Sequence, residues 1–379
     1  MNQQPPKSVI RRLFELIRFS HTVFALPFAL LACVWASVVP LPTVETQVYD
    51  SSHATLTIAQ ANQAGPTRGQ IALRVLGVLL CMVSARSAAM AFNRLVDASF
   101  DAANPRTAAR HLVSGELTRR QAWGFFAAMV LIFFLACALF LPNWLPLAGA
   151  LPVLLWICGY SLAKRFTTAV HLWLGVALAL SPICAWIAMR GEVLLVAPSD
   201  VWPAVGLALA IACWVTGFDI IYACQDSAFD RQAGLHSLPA RLGVLGALRV
   251  AAGLHGLMLV VLAALPSLFP QLSLGTIYWT GLAVVAALVI RQHAIIRPTE
   301  VGVRVEEARD VVKEGVEGER MEGVEGESDA ERRATLSRAT LGQEVSAIKL
   351  GRINEAFFQI NALLSFCLSI AAAIDAILR

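Results

Sequence analysis

Charge is what this sequence has least of: 15% of its 379 residues are Asp, Glu, Lys or Arg, where a soluble globular chain carries about 25%. With 57% hydrophobic residues and a mean hydropathy of +0.65, a water-facing surface cannot be assembled. A soluble protein is excluded and an integral membrane protein remains. The net charge of +4 is too small to argue for a nucleic-acid partner. Paired cysteines are missing as well. Cys33, Cys81, Cys137, Cys158, Cys184, Cys213, Cys224 and Cys367 lie singly in apolar stretches, with no C-x-x-C and no neighbouring His cluster. This argues against a disulfide framework and a zinc site, and the thiols read better as small buried apolar groups.

Long hydrophobic runs are plentiful. Runs able to cross a bilayer occur at about 21–39, 71–96, 121–141, 144–163, 170–189, 201–224, 245–265, 274–296 and 356–378. They predict an all-α bundle of nine transmembrane helices. Residues 1–20, with Ile10, Leu13, Phe14 and Ile17 at helical spacing, predict an interfacial helix. The first run follows Lys7, Arg11, Arg12 and Arg18 as a signal peptide would, but eight further runs favour an uncleaved helix. Helices 1–8 then occupy 21–296, interrupted by a polar outer loop at 40–69, and the ninth lies in 353–379. Between them, 297–352 is densely charged and repeats E-G-V-E-G-E at 314–319 and 322–327. This composition predicts a disordered or loosely helical cytoplasmic insertion, tolerated rather than catalytic.

Lys and Arg set the orientation. A cytoplasmic N-terminus puts Lys7, Arg11, Arg12, Arg18, Arg106, Arg110, Arg119, Arg120, Lys164, Arg165, Arg231 and Arg241 on the cytoplasmic side, and leaves little beyond Arg68 and Arg190 opposite.

Charges inside spans are costly and call for a reason. Arg86, Asn93 and Asp97 fall within about 40° of one another on a helical wheel, and Asp101 follows one turn on. The sixth run repeats the pattern with Asp219, Tyr222, Asp226 and Asp230. Two D-x-x-x-D pairs, Asp97 with Asp101 and Asp226 with Asp230, therefore sit at the cytoplasmic ends of two spans. Four converging carboxylates repel one another, so a hard divalent cation is the natural partner. Mg²⁺ bridges carboxylates to phosphates, which implies a diphosphate ligand. Arg106 and Arg110 follow the first pair, and Tyr160 with Lys164 ends the fourth span, ready to meet further phosphate oxygens. Arg119, Arg120 and Arg165 are read as topology signals.

The string N-R-L-V-D-A-S-F-D from Asn93, continuing N-P-R-T-A-A-R, resembles the first aspartate-rich motif of the UbiA superfamily of intramembrane prenyltransferases. D-I-I-Y-A-C-Q-D-S-A-F-D-R-Q-A-G-L-H-S from Asp219 resembles its second, and Tyr160 to Lys164 matches its Y-x-x-x-K element. Where many members begin the first motif with Asn-Asp, this chain has Asn93-Arg94, as in the 4-hydroxybenzoate polyprenyltransferase or UbiA-like bacterial branch. That branch includes proteins assigned to prenylating 1,4-dihydroxy-6-naphthoate on the futalosine route to menaquinone.

The resemblance implies transfer of a polyprenyl chain from its diphosphate to an aromatic acid, 4-hydroxybenzoate first, in quinone biosynthesis at the inner membrane with the site towards the cytoplasm. No obligate protein partner is implied. Asp97, Asp101, Asp226 and Asp230 would hold Mg²⁺ with help from Asn93, while Lys164, Tyr160, Arg106 and Arg110 meet the diphosphate. The acceptor's carboxylate requires a cation at depth, for which Arg86 stands first, with Arg18 and His21 as further candidates. Asp219 would position an Arg or take the ring proton; a structural ion pair between Arg86 and Asp219 is the plainer alternative. His111, His236 and Ser237 are read as loop residues within reach of a phosphate. A secondary transporter would want carboxylates near the midplane and related halves, and a lipid diphosphate phosphatase would use water as acceptor.

Overall fold

A computed structural model describes residues 24–42, 45–49, 55–59, 66–104, 107–296 and 356–378. The expected interfacial helix at 1–20, with Arg18, and also His21, Arg106 and the insertion at 297–352, lie outside the described residues. The helices are α1 (Leu26–Val38), α2 (Arg68–Val96), α3 (Ala98–Ala103), α4 (Arg119–Ala138), α5 (Leu145–Ala163) and α6 (Val170–Leu194). They continue with α7 (Trp202–Ala223), α8 (Ser227–Gln232), α9 (Leu238–Leu268), α10 (Thr276–Ile295) and α11 (Asn361–Leu378). Among the described residues, 8 helical segments are long and apolar enough to cross a membrane, and α1 is a shorter apolar helix. The region read as a polar outer loop at 40–69 holds two antiparallel strands, β1 (Glu45–Tyr49) and β2 (Thr55–Ala59), with Glu45 opposite Ala59. Their β-branched and aromatic residues favour extended backbone.

The helix ends follow from local chemistry. Thr67 and Gln70 form a capping box at α2, and Thr118 and Gln121 form another at α4, satisfying N–H groups that the first turn leaves without partners. Gly243 has φ 71°, a conformation open to glycine at little cost. It bends α9, so the chain from Leu238 is helical well before the apolar run at 245 begins.

Packing centres on α7, where 17 of 22 residues are buried, against 4 of 20 in α4. The bare Leu131 and Leu135 on α4 suit a hydrocarbon surrounding. Helix α6 approaches α7 so closely that a Cβ on Gly175 would lie 2.6 Å from the Ala212 carbonyl oxygen. At the end of the bundle remote from the aspartates, α6 breaks at Arg190 (φ −134°, ψ 24°). This arginine is no loop residue. Its guanidinium pairs with Asp200 at 2.7 Å and donates to the carbonyls of Ala36, Val39 and Pro40, tying α1 to α6. Asp375 on α11 accepts from the backbone N–H groups of Gly275 and Tyr278 and so caps α10.

Candidate active site

Both D-x-x-x-D pairs straddle a break in the helix. The apolar runs are expected to end at 96 and 224, and α2 ends at Val96 and α7 at Ala223. Asp97 has φ −94° and ψ 4°, and Asp226 has φ −100° and ψ 5°, the bridge region often used at active sites. After each break a six-residue helix, α3 or α8, carries the second aspartate inward. Asp101 is 7% exposed and Asp230 is 1% exposed.

Each carboxylate already has company. Arg110 Nη1 donates to both oxygens of Asp101, at 2.5 and 2.6 Å. Lys164 Nζ lies 3.3 Å from Asp230. Asp97 accepts from Asn93 at 2.7 Å and from Arg165 at 3.3 Å, and Asp226 accepts from Asn104 at 3.4 Å. Arg165, read from sequence as a topology signal, thus belongs to the site; its signal was proximity to Lys164, which the topology reading absorbed. The four carboxylates expected to converge reach one cavity without forming one cluster. They line one polar cavity of about 230 Å³, yet among the described residues no group of three or more His, Cys, Asp or Glu could hold a metal ion. Asp101, Asp230 and Asp97 each lie within ion-pair distance of a different cation, Arg110, Lys164 and Arg165.

The donor set still fits Mg²⁺. The polar cavity is walled by oxygen donors, with no thiol or imidazole among the described lining residues, and Mg²⁺ usually takes one or two carboxylates and completes its shell with water and phosphate. Burial lifts the Asp97 carboxyl above its ordinary pKa; the Arg165 hydrogen bond opposes this and the charge of Asp101 adds to it. A further cation beside Asp97 would relieve that cost.

A second cavity, about 360 Å³ and apolar, shares Asn93, Tyr160 and Ser161 with the first. The two therefore meet at those side chains. Arg86 lines the apolar one, about 10 Å along α2 from Asn93 at 1.5 Å per residue. Its Nε is buried without a hydrogen-bond partner, as are the hydroxyls of Ser161 and Ser181 on the same wall. The ion pair with Asp219 does not form. Asp219 instead meets His171 at 2.6 Å, a residue that the sequence motifs do not single out.

The loop residues have local roles. Ser237 caps α9 by accepting from the Ala240 N–H at 3.4 Å. His236 donates its backbone N–H to the Lys164 carbonyl at 2.8 Å, and His111 pairs with Glu116 at 2.9 Å.

Residues 54–302 match the model of the UbiA prenyltransferase family. The chain belongs to the UbiA prenyltransferase family. It is 31% identical over 236 residues to a 4-hydroxybenzoate octaprenyltransferase of Chromohalobacter salexigens, covering 62% of this chain and 73% of that one. A protein of the same name from Pseudomonas aeruginosa is 32% identical over 226 residues, 59% of this chain and 69% of its own. The solved apo structure of a UbiA homolog from Aeropyrum pernix K1 superposes with a TM-score of 0.62 at 26% identity, over 94% of this chain and 97% of the other. Prenyl transfer by a multi-pass membrane enzyme is thus the frame in which this UbiA member's site is to be understood.

Proposed function

We propose that this enzyme transfers a polyprenyl group from polyprenyl diphosphate to the ring of an aromatic acid, 4-hydroxybenzoate, in quinone biosynthesis. Mg²⁺ is the expected cofactor. The observation that carries this reading is Arg86, a cation without a partner among the described residues, set in an apolar cavity that opens onto the aspartate-lined polar one. A buried charge left unpaired is costly, and an anionic acceptor would supply the missing partner. The relatives named for 4-hydroxybenzoate support that choice of acid.

In this mechanism the diphosphate occupies the polar cavity. Asp97 and Asp226, with Asn93, would hold Mg²⁺, which when bound neutralises the diphosphate and stabilises it as a leaving group. Lys164, Arg165 and Arg110 offer N–H donors to phosphate oxygens, and Asp230, Asp97 and Asp101 orient them. Tyr160, at the junction of the two cavities, can donate to the oxygen that leaves. The prenyl chain runs along the apolar wall towards lipid, and Arg86 fixes the acid so that the carbon ortho to the hydroxyl meets C1. The same reading has nine spans, α1 included, a cytoplasmic N-terminus and a site facing the cytoplasm of the inner membrane, because Lys and Arg crowd the aspartate-bearing end. No obligate protein partner is required.

The test compares 4-hydroxybenzoate with its neutral amide, 4-hydroxybenzamide, in membranes carrying the wild-type chain or Arg86→Ala. The wild type should prefer the acid by about tenfold or more, as a charge-assisted bond allows, and Arg86→Ala should lose that preference. An unchanged preference in the variant would refute the role of Arg86.

A further inference from the structure

Helix α6 brings His171 against Asp219 of α7, with Nδ1 2.6 Å from Oδ2 and side-chain exposures of 3% and 12%. The other ring nitrogen, Nε2, lies 3.2 Å from the backbone N–H of Leu238, at the start of α9. That N–H can only donate, so Nε2 is an acceptor without a proton. The proton of a neutral imidazole is then on Nδ1, where it donates to Asp219. The tautomer is thus set by the chain segment that ends the second motif. The same segment is tied to α5 through the His236 N–H and the Lys164 carbonyl.

Asp219, on α7, lines the polar cavity with Tyr160 and with Asp226 beyond the end of that helix. Its Oδ1 has no hydrogen-bond or ion-pair partner among the described residues. A carboxylate in the cavity wall with one oxygen held and the other without a partner among the described residues is arranged to receive a proton.

We propose that Asp219 accepts the ring proton and that His171 is the positioning residue that aims it. The inference rests on the aromatic-acid reading above. As the C1–O bond of the donor breaks, its electron pair leaves on the diphosphate, and a π pair of the ring forms the new bond from the ortho carbon to C1. The ring is left cationic at that stage. The C–H pair then returns to the ring, restoring aromaticity, and the proton goes to Asp219 Oδ1. His171 keeps its own proton throughout, because Nε2 is closed by Leu238. Asp219 gives up the proton to the departing diphosphate.

Two isosteric substitutions separate aiming from anchoring. The amide nitrogen of His171→Asn falls near Nδ1 and can still donate to Asp219, while the contact with Leu238 is lost. The amide oxygen of His171→Gln falls near Nε2 and can still accept from Leu238, while the donor to Asp219 is lost. Each variant is assayed in membranes, normalised to inserted protein, with acceptor protonated or deuterated ortho to the hydroxyl.

The wild type should show an isotope effect near one. His171→Gln should lower kcat by about tenfold or more, the scale of outer-shell losses, with both KM values within about twofold and the isotope effect raised to about two or more. His171→Asn should stay close to wild type in both. An isotope effect that remains near one in His171→Gln would overturn the proposal, as would rescue by Gln and not by Asn, the pattern of a merely structural anchor. Asp219→Asn, which removes the acceptor itself, should abolish transfer while equilibrium binding of 4-hydroxybenzoate to metal-free protein persists; retained transfer would also overturn it. Absence of any wild-type product from 4-hydroxybenzoate would instead count against the acceptor, and the isotope comparison would be run with the aromatic acid that the wild type does prenylate.

Discussion

Asp97 and Asp226 share one backbone geometry, φ −94° and ψ 4° against φ −100° and ψ 5°, at the breaks that end two spanning helices. Their partners four residues further along the chain, Asp101 and Asp230, are buried against Arg110 and Lys164. The two aspartates of each pair are therefore placed differently, the second buried on a cation of the chain and the first at the break, where Asp97 shares Arg165 and Asp226 meets Asn104.

That arrangement predicts different failures within one motif. Asp97→Asn and Asp226→Asn should each lower transfer by about 100-fold or more, the scale of losing one electrostatic stabiliser, with unchanged amounts of inserted protein. Asp101→Asn should instead raise the donor KM by about tenfold through a misplaced Arg110, leaving the Mg²⁺ concentration for half-maximal rate unaltered. Donor and Mg²⁺ titrations of the purified variants check both.

Chelation should stop the reaction without unfolding the protein. The buried carboxylates keep Arg110 and Lys164 as partners when no metal is bound, so EDTA should abolish transfer and leave the melting temperature of the detergent-solubilised chain unchanged. Mg²⁺ and Mn²⁺ should restore activity better than Zn²⁺, since the described lining offers oxygen donors and no thiol or imidazole.

Arg165 should act on the donor. It bridges Asp97 and the Val96 carbonyl, at 3.3 and 2.7 Å, so Arg165→Met removes a donor to phosphate and frees the break at the end of α2. The donor KM should rise by about tenfold, as for a lost charge-assisted bond, while the KM for the acid stays within about twofold. Steady-state kinetics with each substrate varied in turn checks this.

Arg190 should matter for stability alone. With Arg190 and Asp200 only 5% and 6% exposed, Arg190→Ala leaves a buried carboxylate unpaired, a loss of about 3–5 kcal/mol. Thermal unfolding in detergent should show a lowered midpoint, and the protein that remains folded should keep wild-type KM values.

Much of this was legible in the residues because a bilayer imposes one strong rule, that backbone polar groups be satisfied within the segment. Runs of about twenty apolar residues accordingly became helices close to their expected limits, as at Trp202–Ala223. The backbone turns at Asp97 and Asp226 and the short helices after them were not legible, since aspartates four apart suit an unbroken helix equally well. Arg165 was hidden by a competing explanation, the positive-inside rule. His171 was hidden because its partner lies 48 positions away, and a lone imidazole in an apolar helix gives no sign of what faces it. The strands at Glu45–Tyr49 and Thr55–Ala59 did leave a trace, in Val48, Tyr49, Thr55, Thr57 and Ile58, that the surrounding polar residues outweighed.

The central claim is tested most directly by a product analysis of purified protein in lipid nanodiscs with Mg²⁺, a polyprenyl diphosphate, and 4-hydroxybenzoate and 1,4-dihydroxy-6-naphthoate at equal concentration. Mass spectrometry should find prenylated 4-hydroxybenzoate as the principal product, absent without Mg²⁺ and absent with Asp97→Asn. Release of the free prenyl alcohol alone, with neither acid prenylated, would contradict the account, and prenylated naphthoate as the principal product would contradict its choice of acceptor.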